Sequence, residues 1–512
     1  MATLIPTVLI EVELSGAGSG WTDLRAAGDV AQQGLTIRHG ITGSTPADNV
    51  AGTGTASFTL RNSTLNSGGT LGYYSPNHAS ARTGWGLGIG CRVRIQDPVT
   101  STYWTRFRGR IDAIDPTPGK YGERVVHVIA VDWMDEAARF ALTPAIGEQV
   151  NQPWDSVLTA ILAQMATQPA AVDLSAGTEV FPYALDSSDN AKQRALAEFK
   201  KLANSEAGFV FLKADGTLRA ENRHTRMTAF ASVWTLADTD YQALELPSTR
   251  DDIINSIRTT THSKIVDAAP TATVYSQANT IAIDASSTKR LIGPYRDADT
   301  GDPIGATEIQ PLIAGVGYIA NTASDGSGAD ATSSVSIVAE LGASGALFDV
   351  SNSSGATVYL TTLQLTGKRI LDRGTTQHPA SDATSIALHG EHVVEFDMPY
   401  QSSADVGQGA ADYFLAKFKN PLAQARRITV LATSAALLTQ ILTRDISDRI
   451  TLSETVTGVS DDFFINGVEL SVTSNGHVQA SYVLAPAADP YAGLYWILGT
   501  STLGTDTLLA PF

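Results

Sequence analysis

Apolar and polar residues alternate most regularly near the end of the chain, between positions 463 and 484. Every second residue from 468 to 472 is apolar, and Glu469 and Ser471 lie between them. A period of two is typical of a strand that buries one face. Asn475 and Gly476 then suit the positive φ angles of a tight turn, and the alternation returns from 478 to 484. The pattern predicts a β-hairpin.

A similar construction is present much earlier in the chain. Residues 107–114 lead into a proline-rich turn at 116–119, and residues 125–132 form the returning strand. Each hairpin carries an aromatic residue, Phe107 or Phe464, shortly before a glycine. Two such hairpins so far apart suggest two β-rich domains of one kind. The alternative is that β-proteins in general contain hairpins of this sort, and the pattern alone leaves both interpretations open.

Residues 1–140 predict one antiparallel β-domain. A loop at 62–90 within it is rich in Gly, Ser and Asn and contains Tyr73, Tyr74 and Trp85. Loops of that length are usually functional or bound by a partner. The remaining strands of this domain are expected at 8–14, 34–41, 53–62 and 91–95.

The pattern changes to helical spacing after Pro144, and residues 141–250 predict an α+β module. Pro153 suits the first turn of a helix, and apolar residues follow it at helical spacing. A second helix is expected to stop at Gly208, where a short hairpin at 209–221 begins.

A second β-domain is predicted at 251–299 and 357–486, and it contains a helix at about 404–419. A segment rich in Gly, Ser and Ala interrupts this domain at 300–356, and we interpret it as a small β insertion. Residues 487–512 contain an apolar run that cannot form a core alone. We therefore expect this C-terminal tail to dock on its own chain or on a neighbour.

The formal net charge of −17 narrows the range of functions. Proteins that grip phosphates usually present a basic surface, so tight nucleic-acid binding is disfavoured. Cys91 is the only cysteine, and it is expected to be a buried thiol in a protein made in a reducing cytoplasm. The first residues do not follow the pattern of a signal peptide, and no apolar run is long enough to span a bilayer.

Several short motifs are compatible with chemistry but are better explained as structural features. His389 and His392 have the wrong spacing for a helical zinc pair and lie in a strand-like stretch. Asp297, Asp299 and Asp302 depart from the spacing of a calcium loop and predict an ordinary acidic turn, with calcium binding left open. The sequence therefore predicts no catalytic, cofactor-binding or metal-binding residue and no enzyme.

Four groups of segments occur in a characteristic order, and the last of them is followed by the apolar ending at 496–504. In this order they resemble the tail-tip or baseplate hub proteins of long-tailed bacteriophages, often called minor tail proteins. The resemblance covers nearly the whole chain, and its strength lies in the order of the segments. The groups are 54–62 with 74–77 and 90–95, then 107–111 with 128–132, then 197–208 with 215–216, and then 444–452 with 462–467.

The resemblance implies a mainly β, α+β protein with two tail-tube-like β-domains separated by an α+β module, the second domain carrying a β insertion. Three copies would supply six such domains and form a pseudo-sixfold hub ring. That ring would join the tail tube to the tip of the virion and form part of the DNA ejection channel. The implied partners are a distal tail or tube protein, the tape-measure protein and tip or fibre proteins, with DNA only in transit and no cofactor. Assembly is expected in the host cytoplasm.

Two sets of residues are interpreted as assembly residues. The ring-forming hairpins would use Phe107, Ile111, Ile114, Phe464, Val468, Leu470 and Val472. The tail would dock on a partner through Tyr491, Tyr495, Trp496, Ile497, Leu498, Leu503 and Leu508.

The mechanism that follows is mechanical and electrostatic. Strands of successive domains would line the channel, and the net charge of −17 suggests an acidic wall that repels DNA phosphates. The alternative function is a β-rich adhesin or carbohydrate-binding module of a phage or bacterial surface. That alternative is suggested by the aromatic loop with Tyr73, Tyr74 and Trp85.

Overall fold

The protein is described from a computed structural model, which covers residues 5–487 apart from 17, 32–33, 44, 119–123, 143–145, 148, 186–192, 227–230, 248, 250–251 and 421–425. That part of the chain contains twenty-eight strands and six α-helices. The fold is mainly β and belongs to the α+β class, as the sequence predicted.

The first fourteen strands are β1 Val8–Val12, β2 Thr22–Asp23, β3 Leu35–Gly40, β4 Thr55–Arg61, β5 Gly90–Gln96, β6 Tyr103–Pro116, β7 Val125–Asp132, β8 Gln149–Pro153, β9 Ala171–Leu174, β10 Val180–Ala184, β11 Phe209–Leu212, β12 Thr217–Glu221, β13 Trp234–Leu236 and β14 Ala243–Glu245. The others are β15 Ser256–Val266, β16 Ala272–Ser276, β17 Ile281–Ile283, β18 Thr288–Pro294, β19 Gly305–Thr307, β20 Tyr318–Asn321, β21 Val335–Leu341, β22 Gly345–Asn352, β23 Val358–Ser381, β24 Val393–Met398, β25 Arg427–Leu431, β26 Arg449–Ser453, β27 Ser460–Val472 and β28 Val478–Pro486. The helices are α1 Trp133–Arg139, α2 Trp154–Gln164, α3 Ala195–Glu206, α4 Ala383–His389, α5 Ala404–Phe418 and α6 Ala435–Thr443.

The largest element is a sheet of thirteen strands that spans both ends of the described chain. Its order is β14-β25-β28-β27-β3-β4-β7-β6-β5-β1-β2, and β26 and β13 attach beside β27. Alternate residues of each strand face one hydrophobic core, as Cys91, Val93 and Ile95 of β5 do. This core runs from Val8 to Leu484, so the N-terminal strands and the C-terminal strands stabilise one another.

The α+β module packs against this sheet with a core of its own, in which Trp154 and Phe199 are fully buried. Helix α2 begins directly after Pro153, which lacks the N–H that a first turn leaves unbonded. Helix α3 ends at Glu206, and the next residue, Ala207, has a left-handed φ of 53° directly before the predicted stop at Gly208. The predicted hairpin follows as β11 and β12.

Strand β23 is 24 residues long and connects two further cores. Its first half pairs with β16, β17, β19 and β20 around a core that extends from Val274 to Leu365. Its second half pairs with β15, and α5 covers that part with Phe414 against Phe396. The predicted insertion at 300–356 contributes to this core. The core also includes residues before and after the insertion, from Val274 to Tyr295 and from Val358 to Leu365.

The stretch around His389 differs from the expectation of a strand. His389 is the last residue of α4, and β24 begins only at Val393. The helix starts there because the side chain of Asp382 accepts a hydrogen bond from the N–H of Ser385 at 2.9 Å. That capping bond offsets the short length of the helix.

Candidate functional site

The long sheet contains the same arrangement of five strands twice. The first unit has the spatial order β5-β6-β7-β4-β3, and the second has β26-β27-β28-β25-β14. The chain visits the strands in the same sequence in both units, and every pairing within the units is antiparallel. The two predicted hairpins, β6–β7 and β27–β28, therefore occupy equivalent places.

A one-residue bulge sets the alignment of the two hairpins. Asp112 is the extra residue of β6, between the pairs that Ile111 and Ala113 form with β7. Asn466 is the extra residue of β27, between the pairs that Ile465 and Gly467 form with β28. Bulges bend a strand and increase its twist, so the two hairpins change direction at the same point. The aromatic–glycine pattern that the two hairpins share in sequence is not aligned in the structure, because the position equivalent to Gly109 is Phe463.

The neighbouring strands keep this alignment on both sides of the hairpin. Cys91 of β5 pairs with Gly109, and Ile450 of β26 pairs with Phe463, the equivalent position. The flanking strands differ, because β1 is antiparallel to β5 whereas β13 is parallel to β26. The connections differ too, since a long loop links β4 to β5 where α6 links β25 to β26. The resemblance is thus one of strand order and register.

The two units join through β3 and β27, which pair from Leu35 opposite Val472 to Gly40 opposite Gly467. Ile37 of β3 and Leu470 of β27 face the common core, and both are almost completely buried. Because the pairing continues the antiparallel ladder, the two units form one uninterrupted wall.

A hydrogen-bonded histidine and aspartate lie beside this junction. The Nε2 atom of His39 is 3.0 Å from Oδ1 of Asp445, and the N–H of Ala214 donates to Oδ2 of Asp445 at 3.0 Å. Burial alone would raise the pKa of Asp445. The hydrogen bond and charge of His39, the charge of Arg106 and the Ala214 N–H outweigh burial and hold the pKa of Asp445 well below its usual range. One carboxylate therefore ties both units to the α+β module.

The hairpin residues singled out from the sequence are core residues. Six of them are at most 3% exposed, and Ile114 is half-buried at the edge of the same core. Phe464 does not belong to this core, and its ring lies 5.3 Å from the guanidinium of Arg226. These side chains position the strands, and their part in a ring remains a prediction. The tail residues from Tyr491 to Leu508 lie outside the described residues.

The open face of the sheet is polar, and its carboxylates lie beside arginines. The carboxylate of Glu469 is 2.8 Å from Arg38 and 3.3 Å from Arg427. Glu11, further along the sheet, is 2.8 Å from Arg92 and 2.6 Å from Arg94. Four guanidinium groups thus surround two carboxylates on this face. The hypothesis of an acidic wall is not supported, because the net charge of the chain does not say on which surface the acidic residues lie.

The aromatic residues of the long loop are part of the core. Tyr74 is fully buried and Trp85 is 6% exposed. The hydroxyl of Tyr74 donates to the buried carboxylate of Asp29 at 2.5 Å, and Ser67 donates to the same carboxylate through its N–H and hydroxyl. Two of the three rings that suggested a carbohydrate site therefore present no open face to a sugar, and Tyr73 is partly buried.

The other motifs show no assembled chemistry within the described residues. Asp297 accepts hydrogen bonds from the N–H groups of Asp299 and Thr300, and Nη1 of Arg369 lies 3.1 Å from its carboxylate. No three His, Cys, Asp or Glu side chains of the described chain come close enough to hold a metal ion. Cys91 is completely buried, as expected, and burial raises the pKa of its thiol to about 12.

A cleft of about 610 Å³ lies between the β6–β7 hairpin and the α+β module. Its polar lining includes Arg110, whose Nη1 is 3.4 Å from Oε1 of Glu136. The described lining contains no serine, cysteine or histidine that could act as a nucleophile or base. We find no helix in the described chain that is long and apolar enough to cross a membrane.

Comparison of the sequence with protein-family models and with curated proteins finds no match. Comparison of the structure with solved structures finds tail proteins. A 43 kDa tail protein of prophage MuSo2 from Shewanella oneidensis has a TM-score of 0.49 and 9% identity, over 94% of this chain and 99% of that chain. A tail protein from Neisseria meningitidis has a TM-score of 0.46 and 12% identity, over 94% and 96% of the two chains.

A third similar structure is an E. coli component of the type VI secretion system, described as similar to the T4 bacteriophage tail proteins gp27 and gp5. Its TM-score is 0.37 at 8% identity, over 90% of this chain and 75% of that chain. Two of these three structures are titled tail proteins, and the third is a secretion-system component.

Proposed function

We propose that the protein is a structural subunit of the hub ring at the tip of a phage tail, where it joins the tail tube to the tip and forms part of the DNA ejection channel. One observation carries this proposal. A single chain contains two five-stranded units of equal strand order and register, joined edge to edge into one wall. A wall built from repeated units forms a ring when the rotation between units closes a full turn, and otherwise extends as a filament.

The number of copies follows from the repeat. If the tube above the hub has six equivalent positions, three copies with two units each occupy all of them. The hub is then threefold by chain and sixfold by unit, which matches a sixfold tube to a threefold tip. The tube protein, the tape-measure protein and the tip or fibre proteins are the proposed neighbours.

The open face of the wall suits passage of DNA because its arginines lie beside carboxylates, and not because the wall is acidic. Its arginines are held by Glu469 and Glu11, and uncharged residues such as Ser57 and Gln479 lie between them. Because a carboxylate lies beside each pair of these arginines, their attraction for phosphates is weakened. DNA would therefore slide past this face with little adhesion, and no chemical step is required.

The proposal is tested by the mass and image of the purified assembly. We expect native mass measurement to give three copies, and electron micrographs to show a ring with a central bore and six similar densities around it. A protein that stays monomeric both alone and in isolated tails, or that assembles without a bore, contradicts the proposal. The carbohydrate-binding alternative has lost two of its three supporting rings, since Tyr74 and Trp85 are buried.

A further inference from the structure

The two sheet units differ in how their longest strand is paired. In the second unit, one edge of β27 is covered along nearly its full length, by β26 at 460–464 and by β3 at 467–472. In the first unit, β5 covers the equivalent edge of β6 only up to Arg110, and Ile111 bonds to the backbone of Gly88 and Ile89. Beyond that point, no strand of the described chain pairs with residues 113–116 on this edge.

A second unpaired edge lies at the far end of the sheet. Strand β14 is the counterpart of β3, but it pairs with β25 alone, whereas β3 pairs with both β4 and β27. Within the described residues, β14 thus lacks the kind of neighbour that β3 has. The free half of β6 lacks the kind of neighbour that β27 has. The two missing neighbours are complementary.

We infer that β14 of one copy pairs with the free half of β6 in the next copy and so repeats the β3–β27 junction between chains. This inference rests on the proposed ring and names the strands that close it. The register follows from the alignment of the two units, since Glu245 matches Thr36 and Thr117 matches Ser471. Glu245 of one copy then lies opposite Thr117 of the next, and Leu246 lies opposite Pro116.

Burial at the two edges supports this pairing. At the internal junction, Ile37 is fully buried and Val468 is 3% exposed. Their counterparts at the free edges, Leu246 and Ile114, contact the same hydrophobic core but are only half-buried. Antiparallel pairing of β14 with β6 would cover both side chains, as it does inside the chain, and burial of apolar surface is the main source of association free energy.

Two prolines limit the hydrogen bonds that the free edge of β6 can form. The N–H of Thr117 donates to Val125 of β7, so Pro116 and Pro118 on either side of it face the free edge. Proline removes the N–H donor and blocks most strands from pairing there, but it leaves the carbonyl oxygen. On β14 the carbonyl of Glu245 accepts from Arg426, so Leu246 faces outward with a free N–H to donate to Pro116.

A cross-linking experiment tests the register directly. Thr117 and Glu245 are exposed, and their backbone groups point away from the proposed interface. Such a pair has Cα atoms about 4.5 Å apart, within the range of a disulfide. In the full-length variant T117C/E245C we expect oxidation to give covalent multimers that reductant dissolves. Within one chain the two cysteines lie directly after β6 and on β14, which six other strands separate, and the native Cys91 is buried, so a bond forms only between copies.

The matched control is T117C/A243C, which moves one cysteine by two residues along β14. The Cα atoms are then about 7 to 8 Å apart, too far for a disulfide. We expect this variant to assemble normally and to cross-link far less than T117C/E245C. Equal cross-linking of both variants means random collision and overturns the inference.

Mass measurement separates this inference from the proposed function. If the wild-type chain forms a ring but T117C/E245C does not cross-link, the pairing of β14 with β6 is wrong while the hub proposal stands. If no ring forms in the wild type, both are wrong. The variant L246P removes the outward N–H donor and part of a half-buried side chain, whereas L246A shortens the side chain and keeps the donor. We therefore expect the ring to be lost in L246P and retained in L246A. A ring that persists in L246P also overturns the inference.

Discussion

Arg38 lies directly opposite Glu469 where the two sheet units join, and Nη2 of Arg38 is 2.8 Å from Oε1 of Glu469. The side chain of Arg38 is nevertheless 66% exposed. Water screens an exposed ion pair, whereas the adjacent Ile37 is completely removed from water. The junction should therefore depend on its apolar side.

Substitutions of these two neighbours should have very different effects. We expect Ile37→Ala to lower the free energy of unfolding by about 2 to 5 kcal/mol, because it leaves a cavity in the common core. We expect Arg38→Ala to lower it by less than about 1 kcal/mol. Chemical denaturation of the monomer measures both. An equal loss in the two variants would mean that the ion pair holds the junction.

Asp445→Asn should destabilise the protein by about 3 to 5 kcal/mol, because it removes the carboxylate that binds His39 and the N–H of Ala214. The pKa of Asp445 is depressed in the folded protein, so its contribution is present above the unfolded value and is lost as the pH falls. The wild type should therefore lose stability on acidification more steeply than Asp445→Asn. Asp461→Asn, an exposed change on β27, is the control and should leave the acid transition unchanged.

Glu206 predicts the opposite dependence on pH. Burial raises the pKa of Glu206 to about 7, although hydrogen bonds from Thr178 to its Oε1 favour the carboxylate. A raised pKa contributes stability below the unfolded value, and this contribution is lost as the pH rises through about 7. Glu206→Gln keeps an acceptor for Thr178 and cannot ionise.

The variant Glu206→Gln should consequently be more stable than the wild type at pH 8, by about 2 to 3 kcal/mol. At pH 4 the two proteins should have equal stability. Denaturant titrations at the two pH values measure the difference. Glu391→Gln, an exposed change, should show no such crossover, and a parallel shift at both pH values would contradict the assignment to Glu206.

Tyr74 and Tyr73 are adjacent in sequence but have different surroundings. Tyr74→Phe removes the hydroxyl that donates to the buried Asp29 and should cost about 1 to 3 kcal/mol. Tyr73→Phe, at a partly buried ring, should cost less than about 0.5 kcal/mol. Thermal unfolding of both variants measures the difference. Binding of glycans that disappears in Tyr73→Phe without loss of stability would restore the carbohydrate-binding alternative.

The open face yields a prediction about DNA. Glu469→Gln leaves Arg38 and Arg427 without their carboxylate, so assembled rings of this variant should bind DNA more tightly than wild-type rings. The added affinity should fall with increasing salt, because it comes from phosphate contacts that release counterions. Electrophoretic binding assays at two salt concentrations measure it. Glu391→Gln, which lies outside this sheet, should bind DNA as the wild type does, and equal behaviour of both variants would place the face away from the DNA path.

Local patterns predicted many of the elements. The alternation at 468–472 and the turn at Asn475 and Gly476 became β27 and β28, and the helix expected at about 404–419 became α5. Both are determined by interactions between residues close in the chain, namely side-chain period, turn geometry and capping. The sequence did not predict strand β23 beyond Leu365, because residues 366–381 are mostly polar and show no apolar alternation. Pairing with β15 and packing against α5 hold them in a strand.

Residue type alone misassigned Tyr74 and Trp85. An aromatic residue in a polar loop can belong to a binding surface or pack into the core. Which of the two occurs depends on the residues that contact its ring in the folded protein. Asp29, far from Tyr74 in sequence, makes the difference by accepting its hydroxyl inside the protein. The distribution of the net charge was likewise undetermined until Glu469 was found beside Arg38 and Arg427.

The sequence by itself determined that the chain has two similar hairpins with helical segments between them. Only the tertiary structure decided that the hairpins belong to units of identical strand order, and that β3 and β27 join them around one core. The reason is physical. A strand's period depends on its own residues, whereas its partner is chosen by backbone hydrogen bonds and buried contacts between segments as distant as Ile37 and Leu470.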